Sequence, residues 1–348
     1  MFDLQSLLRE NIRKLVPYSS ARDEFKGAAE IFLDANESSF GSPLSENFNR
    51  YPDPLQLQLK AKISGVKGVP IENIFLGNGS DEVIDLLYRA VCNPGVDNVI
   101  ITPPTYGMYE VSANINDVFV KKVPLLPDFQ PDLESISEIV DERTKIIFLC
   151  SPNNPTGNSL NRDDVEIVLN NFDGLVVVDE AYINYSRQKS FIAELTEYPN
   201  LIVMQTLSKA WGLAGLRVGM AFASAEIVAV LNKIKPPYNI SEASQRLAMQ
   251  ALDNVAQVNE WIKITVQERG KLSSALAPLP VVQHVYPSDA NFLLVKVSDA
   301  KSTYDRLVAQ GIIVRDRSKV TLCEGCLRIT VGTPEENLRL LDALKTIS

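Results

Sequence analysis

Through the middle of this chain, short β-branched runs alternate with amphipathic stretches, and most of the runs stop at a polar or glycine-bearing cluster. The runs are Asn73 to Leu76, Asn98 to Ile101, Lys145 to Leu149, Leu175 to Val178, Leu201 to Met204 and Arg217 to Phe222. The clusters that follow are GNGSDE, TPPTYG, CSPNNPTG, DEAY and TLSKAWG. Strand-length apolar segments separated by helix-length ones predict an α/β fold with a mostly parallel central sheet covered by helices. In open sheets of that kind a ligand binds outside the carboxyl ends of the strands, so these clusters are where a site should assemble.

Past Ala223 the pattern changes. SEASQRLAMQALDNVAQVNEWIKITVQERGKLSSALAPL reads as one long helical stretch leading out of the main unit. Shorter alternation then resumes in NFLLVKV, STYDRLVAQG, IIVRD, CLRITVG and PEENLRLLDALKTI, a compact α+β unit. The first 40 residues or so are too short to fold alone and must pack on one of the other units. The predicted division is a large domain over 41–235 and a small domain made of 1–40 together with 236–348.

The chain has 348 residues, 45% of them hydrophobic and 22% charged, which suits an ordinary globular protein and excludes disorder or a disulfide scaffold. With 34 Lys and Arg against 43 Asp and Glu, the net charge of −9 leaves no basic footprint for nucleic acid or an anionic membrane surface. Small molecules or other protein chains are the expected partners. No apolar run reaches the ~18 residues that a membrane span needs. The start, MFDLQSLLRENIRKLVPY, mixes charges in too early for a signal peptide, so the expected location is the cytoplasm. His284 is the one histidine, which excludes multi-histidine metal sites and moves proton chemistry onto another group. Cys323 and Cys326 form a CxxC with no second half, and a structural role fits them best.

Three clusters carry chemistry. GNGSDE, Gly77 to Glu82, is followed by the helix-like DEVIDLLYRAV; it is either an anion site on free helix N–H groups or a plain turn capped by Ser80 or Asp81. A dinucleotide fingerprint fails there, because Glu82 stands where a third glycine is needed. In VVVDE, Asp179 ends an apolar run, either as a turn acid or as the holder of a cation or a protonated ring nitrogen. No GxxxxGK[ST] occurs anywhere, so a phosphate-loop ATPase is excluded. In TLSKAWGLAGLRVG, Lys209 lies among small residues just past a strand; partial desolvation there would lower its pKa and make it nucleophilic toward carbonyls.

Taken together, these clusters resemble the fold-type I pyridoxal-phosphate aminotransferases. The landmarks appear in order as Asn154-Pro155-Thr156-Gly157, Asp179 with Tyr182 three residues on, Lys209, and Arg217 eight residues later. The resemblance implies pyridoxal 5′-phosphate as cofactor and a fold-type I architecture. It implies that Lys209 holds the cofactor covalently and later shuttles a proton, and that Asp179 keeps the ring nitrogen protonated. Asn154 and Tyr182 would bond the phenolic oxygen, and Tyr106 would stack on the ring. Ser80, Asp81, Thr206, Ser208 and Arg217 would hold the cofactor phosphate, with Tyr51 of RYPDP reaching across a homodimer interface.

Within that superfamily the segments LDANESSFGSP, RYPDP, PPTYGMY, SDANFLL, GIIVRD and CLRITVGTPEEN look like the histidinol-phosphate aminotransferases. That resemblance implies exchange of an amino group between histidinol phosphate and 2-oxoglutarate, giving glutamate, in histidine biosynthesis. Arg315 and Arg328 match the two arginines that, with Tyr18, hold the substrate phosphate; Asn36 and Glu37 match the motif near its imidazole. Only 13 residues separate the arginines, too few for a crossover, so adjacent antiparallel strands or their connecting loop are expected. Aromatic aminotransferases and a threonine-phosphate decarboxylase share the same lysine and aspartate and stay open as alternatives. A cofactor-binding DNA sensor does not fit the acidic charge or the absence of a winged-helix segment.

Overall fold

The computed structural model describes residues 2–18 and 31–347. Its large sheet has seven strands: β1 (Ile74–Asn78), β2 (Asn98–Ile101), β3 (Phe119–Lys122), β4 (Thr144–Cys150), β5 (Leu175–Asp179), β6 (Leu201–Thr206) and β7 (Val218–Phe222), in the order β1-β7-β6-β5-β4-β2-β3. β7 alone runs against the others. Every predicted run became a strand within one or two residues. Along β4, Ile147 and Leu149 face one core while Ile146 and Phe148 face the other, as a period of two requires. Burial on both faces is why the central strands are unbroken apolar runs. The one strand of this sheet missed by sequence reasoning, β3, lies at the sheet edge, and its FVKK is partly exposed and carries two lysines, as edge strands do.

Twelve helices are described: α1 (Leu4–Leu7), α2 (Glu10–Lys14), α3 (Leu57–Lys67), α4 (Ser80–Val91), α5 (Met108–Ile115), α6 (Leu133–Ile139), α7 (Arg162–Asn171), α8 (Ala225–Ile234), α9 (Glu242–Leu252), α10 (Val255–Leu276), α11 (Ala300–Ala309) and α12 (Pro334–Lys345). One sheet face is covered by α3, α7, α9 and the start of α10, the other by α4, α5 and α8. The long helical stretch is broken at Asp253-Asn254, where the Asn254 side chain donates to the Gln250 carbonyl and caps nothing ahead of it. α10 still connects the units as expected: Val258 packs in the large core, Leu272 and Leu276 in the small one.

The small sheet is antiparallel throughout, in the order β10-β11-β9-β8, from β8 (Val282–Val285), β9 (Phe292–Val297), β10 (Arg315–Asp316) and β11 (Cys326–Thr330). Helices α11 and α12 pack on its far face. A capping box between Thr333 and Glu336 opens α12. Cys323 and Cys326 are buried with Leu125, Phe129 and Leu294, and burial pushes their thiols up to about 12 and about 11. That leaves them inert packing groups.

The first helices lie elsewhere than the sequence reading put them. Leu4, Leu8 and Ile12, spaced four apart, bury with the residues of α4 and α8 on the large sheet. Arg9 N donates to Ala90 O and Lys233 Nζ to Ile12 O, so α1 and α2 belong with the large unit. The apolar stripe of two such short helices can be covered only by a large ready-made face, and the exposed face of α4 and α8 supplies it. Among the described residues no helix is long and apolar enough to cross a membrane.

Candidate active site

A cavity of about 620 Å³ opens at the carboxyl edge of the large sheet and is closed on one side by the small sheet. β5 ends in Asp179, which is 3% exposed. Its Oδ2 accepts from the Tyr109 hydroxyl at 2.7 Å and its Oδ1 from Ala181 N at 3.1 Å. Burial raises the pKa of this carboxyl, and the Tyr109 hydrogen bond works against that rise. A carboxylate so placed gains most from a cation beside it.

β6 ends in Thr206, whose Oγ1 accepts from Ser208 N at 3.0 Å, and Lys209 follows one residue on. Lys209 projects into the open cleft, with its ammonium 5.6 Å from the centre of the Tyr182 ring. Loss of water, then the Arg328 guanidinium, lower its pKa, while Asp179 opposes them. Asn154, in the loop after β4, donates to the Tyr182 hydroxyl at 3.5 Å and accepts from Arg328 Nη1. Tyr182 is buried, and that burial raises its pKa.

The other wall is the start of α4, whose N-cap is Gly79 with no side-chain cap, so the plain capped turn is absent and no side chain caps the first N–H groups, where Gly79, Ser80 and Asp81 line the cavity. Arg217 precedes the reversed strand β7, which brings it to the same edge. It adopts φ +56, accepts from Gly79 N at 2.7 Å through its carbonyl, and approaches Asp81 Oδ2 at 3.4 Å. Tyr106 donates to Asp81 Oδ1 at 3.0 Å. Asp81 is therefore held by two side chains, and what it leaves for an anion is its backbone N–H. A Cβ added to Gly79 would lie 2.5 Å from Arg217 Nη2, so only glycine leaves the guanidinium against the turn.

From the small sheet, β10 and β11 run antiparallel with Arg315 directly opposite Arg328, the arrangement expected from their spacing. Directly opposed side chains share a face, and this one lines the cavity. The Arg328 guanidinium lies 5.3 Å from the centre of the Phe292 ring, and Phe292 meets Tyr182 edge-on at 5.1 Å.

The structure thus brings Ser80, Asp81, Tyr106, Asn154, Asp179, Tyr182, Thr206, Ser208, Lys209, Arg217, Arg315 and Arg328 around one cavity. It leaves Tyr18, Asn36, Glu37 and Tyr51 outside it. Tyr18 is 75% exposed. Asn36 is exposed at φ +55, and Glu37 accepts from Arg50 Nη1 and Tyr51 N, both at 2.7 Å. Tyr51 stacks on Tyr238 with ring centres 4.5 Å apart. His284 lies on β8 beside Tyr286, away from the cavity. Sequence reasoning missed Tyr109 and Arg317. The i, i+3 pair of tyrosines in PPTYGMY pointed to the first, and the alternate arginines of RDR at a strand end to the second.

A buried acid at a strand end, a depressed lysine and an anion cradle at a helix start define an aminotransferase-type site, and the chain belongs to the family described as Aminotransferase class I and II, whose sequence model matches residues 30–344. Histidinol-phosphate aminotransferase of Cytophaga hutchinsonii is 57% identical over 345 residues, 99% of each chain. The enzyme of that name from Parabacteroides distasonis is 54% identical, over 100% of this chain and 99% of its own. Among solved structures, histidinol-phosphate aminotransferase from Sinorhizobium meliloti in complex with pyridoxal-5′-phosphate superposes with a TM-score of 0.78 at 25% identity, covering 90% of both chains.

Proposed function

We infer that this protein is a pyridoxal-phosphate-dependent aminotransferase acting on L-histidinol phosphate with 2-oxoglutarate as amino acceptor. The observation that carries the reading is the single cavity in which Lys209 and Asp179 face the opposed pair Arg315 and Arg328. A transaminase that grips a carboxylate needs one arginine at that end, whereas a phosphate dianion has use for two.

The residues present fit the cofactor. Its phosphate suits the uncapped start of α4 with Thr206, Ser208 and Arg217 around it, and the buried Asp179 suits a protonated ring nitrogen. Bound there, pyridoxal phosphate supplies an aldehyde and an electron-accepting ring. Asp179, whose ionised form the Tyr109 hydrogen bond favours against the effect of burial, would pair with the protonated ring nitrogen. Asn154 and Tyr182 would donate to the phenolic oxygen, and Tyr106 would lie against the ring. Lys209, its pKa lowered by burial and by Arg328, carries a neutral amine at lower pH than a solvated lysine and so can both attack a carbonyl and carry a proton.

Tyr18, Asn36, Glu37 and Tyr51 would act on a neighbouring copy's site in a homodimer. That is supported by the exposed apolar side chains of the segments that carry them, Val16, Leu33, Phe40, Leu44 and Tyr51 among them. A large unit running from about 41 through α9 into the start of α10, with α1 and α2 added, a small unit from within α10 onward, and a cytoplasmic location complete the reading.

Steady-state rates on histidinol phosphate, unphosphorylated histidinol, tyrosine and threonine phosphate test it. Histidinol phosphate should give the highest kcat/KM, and Arg315→Ala should lower it by about tenfold to a hundredfold, the loss of one charge-assisted contact of roughly 1.5–3 kcal/mol. A preference for tyrosine, or release of carbon dioxide from threonine phosphate, would move the assignment to one of the related activities.

A further inference from the structure

A third arginine lines the same cavity. Arg317 N donates to Cys326 O at 2.9 Å, which carries the β10–β11 pairing one step beyond Asp316. Residues two apart on a strand share a face, so Arg317 stands on the face of Arg315 and Arg328, and all three line the cavity. The intervening Asp316 points the other way; it receives a hydrogen bond from Ser318 and feels Lys301 of α11.

Among the described residues neither Arg315 nor Arg317 makes an ion pair or a side-chain hydrogen bond, and the Nε of Arg317 is buried without a partner. Burial lowers the pKa of Arg317 first, and the guanidiniums of Arg328 and Arg315 lower it further. Three crowded cations with an unsatisfied donor among them are costly unless an anion sits between them. Two guanidiniums already suffice for a monoanion; a third adds donors that only the three oxygens of a phosphate monoester can use together.

We propose that Arg317 is a third phosphate-binding residue and sets this enzyme's preference for substrates bearing a phosphate monoester over those bearing a carboxylate or hydroxyl at the same end. The proposal rests on the reading of the cavity as a histidinol-phosphate site. It assigns Arg317 to binding, so its loss acts on KM and leaves the reacting end of the substrate in place.

The test uses the cofactor-loaded wild type and the variants Arg317→Gln and Arg317→Lys. kcat and KM are measured for histidinol phosphate and for histidinol, and the binding of inorganic phosphate is followed by calorimetry. Arg317→Gln should raise KM for histidinol phosphate by about tenfold to a hundredfold with kcat within about twofold, and should weaken phosphate binding by a similar factor. kcat/KM for histidinol should stay within about twofold, and Arg317→Lys, which keeps the charge without the fork, should recover part of the loss. Equal losses on both substrates, or no change in KM and phosphate binding, would overturn the proposal. A wild type that fails to prefer histidinol phosphate would sink the functional reading instead, and the phosphate titration would still decide whether Arg317 binds the anion.

Discussion

Tyr109 donates to Asp179 from a position where neither side chain sees solvent. The hydrogen bond favours the ionised carboxyl, so it offsets part of the rise that burial imposes. Tyr109→Phe removes that donor while keeping the ring, which stacks on Phe148 at 4.7 Å. The pKa of Asp179 should then rise further, and the ionised form should be reached only at higher pH. The half-reaction with glutamate should slow by about tenfold or more, in line with roughly 1.5–3 kcal/mol for a hydrogen bond to a charged group, and its acid limb should move to higher pH. Stopped-flow rates across pH check this; an unmoved acid limb would show that Tyr109 only packs. Lys209 obeys the same rule with the opposite sign, because burial disfavours its charged form and so lowers its pKa.

The site depends on how closely α4 begins against β7. Gly219 pairs with both Gly77 and Thr206, and a Cβ on it would fall 2.2 Å from Ser80 N and 2.3 Å from Gly79 C. Those are backbone atoms that no rotamer change can move aside. Gly219→Ala should force the start of α4 away from the sheet, lowering stability by roughly 1–3 kcal/mol as overpacking does. It should also loosen cofactor retention, because Arg217 and the first N–H groups of α4 shift with it. Denaturant unfolding together with cofactor titration reads both effects, and an unchanged midpoint would contradict the close approach. The β10–β11 pairing is the second such element, since its register alone decides that Arg315 and Arg328 oppose each other.

At the scale of the molecule, the segments at 15–18 and 31–57 are unusual. Val16 and Leu33 are each 83% exposed and Phe40 fully so, a concentration of apolar surface that a chain working alone rarely shows. In the proposed homodimer these side chains are covered by the partner, and an isologous interface buries the same patch twice. Sedimentation should give a dimer. Leu33→Glu combined with Phe40→Asp should shift it toward monomer and weaken cofactor retention together. A fully active monomeric wild type would remove the shared site from the reading.

What the sequence determined by itself was the alternation of buried strands with helices, the clusters at the strand ends, and the short interval that fits Arg315 and Arg328 only to neighbouring strands. These are local: burial on two faces dictates unbroken apolar runs such as VVV, and chain length between two residues limits what can separate them. Tertiary structure alone decided the rest. The stripe of Leu4, Leu8 and Ile12 could have covered any apolar face, and only the exposed backs of α4 and α8 made the choice. Tyr109 became a partner of Asp179, and Arg317 joined the other arginines, through contacts between segments far apart in the chain. Hydrophobic patterning specifies which side of an element is buried and says nothing of what buries it, because that attraction is proportional to area and carries no direction.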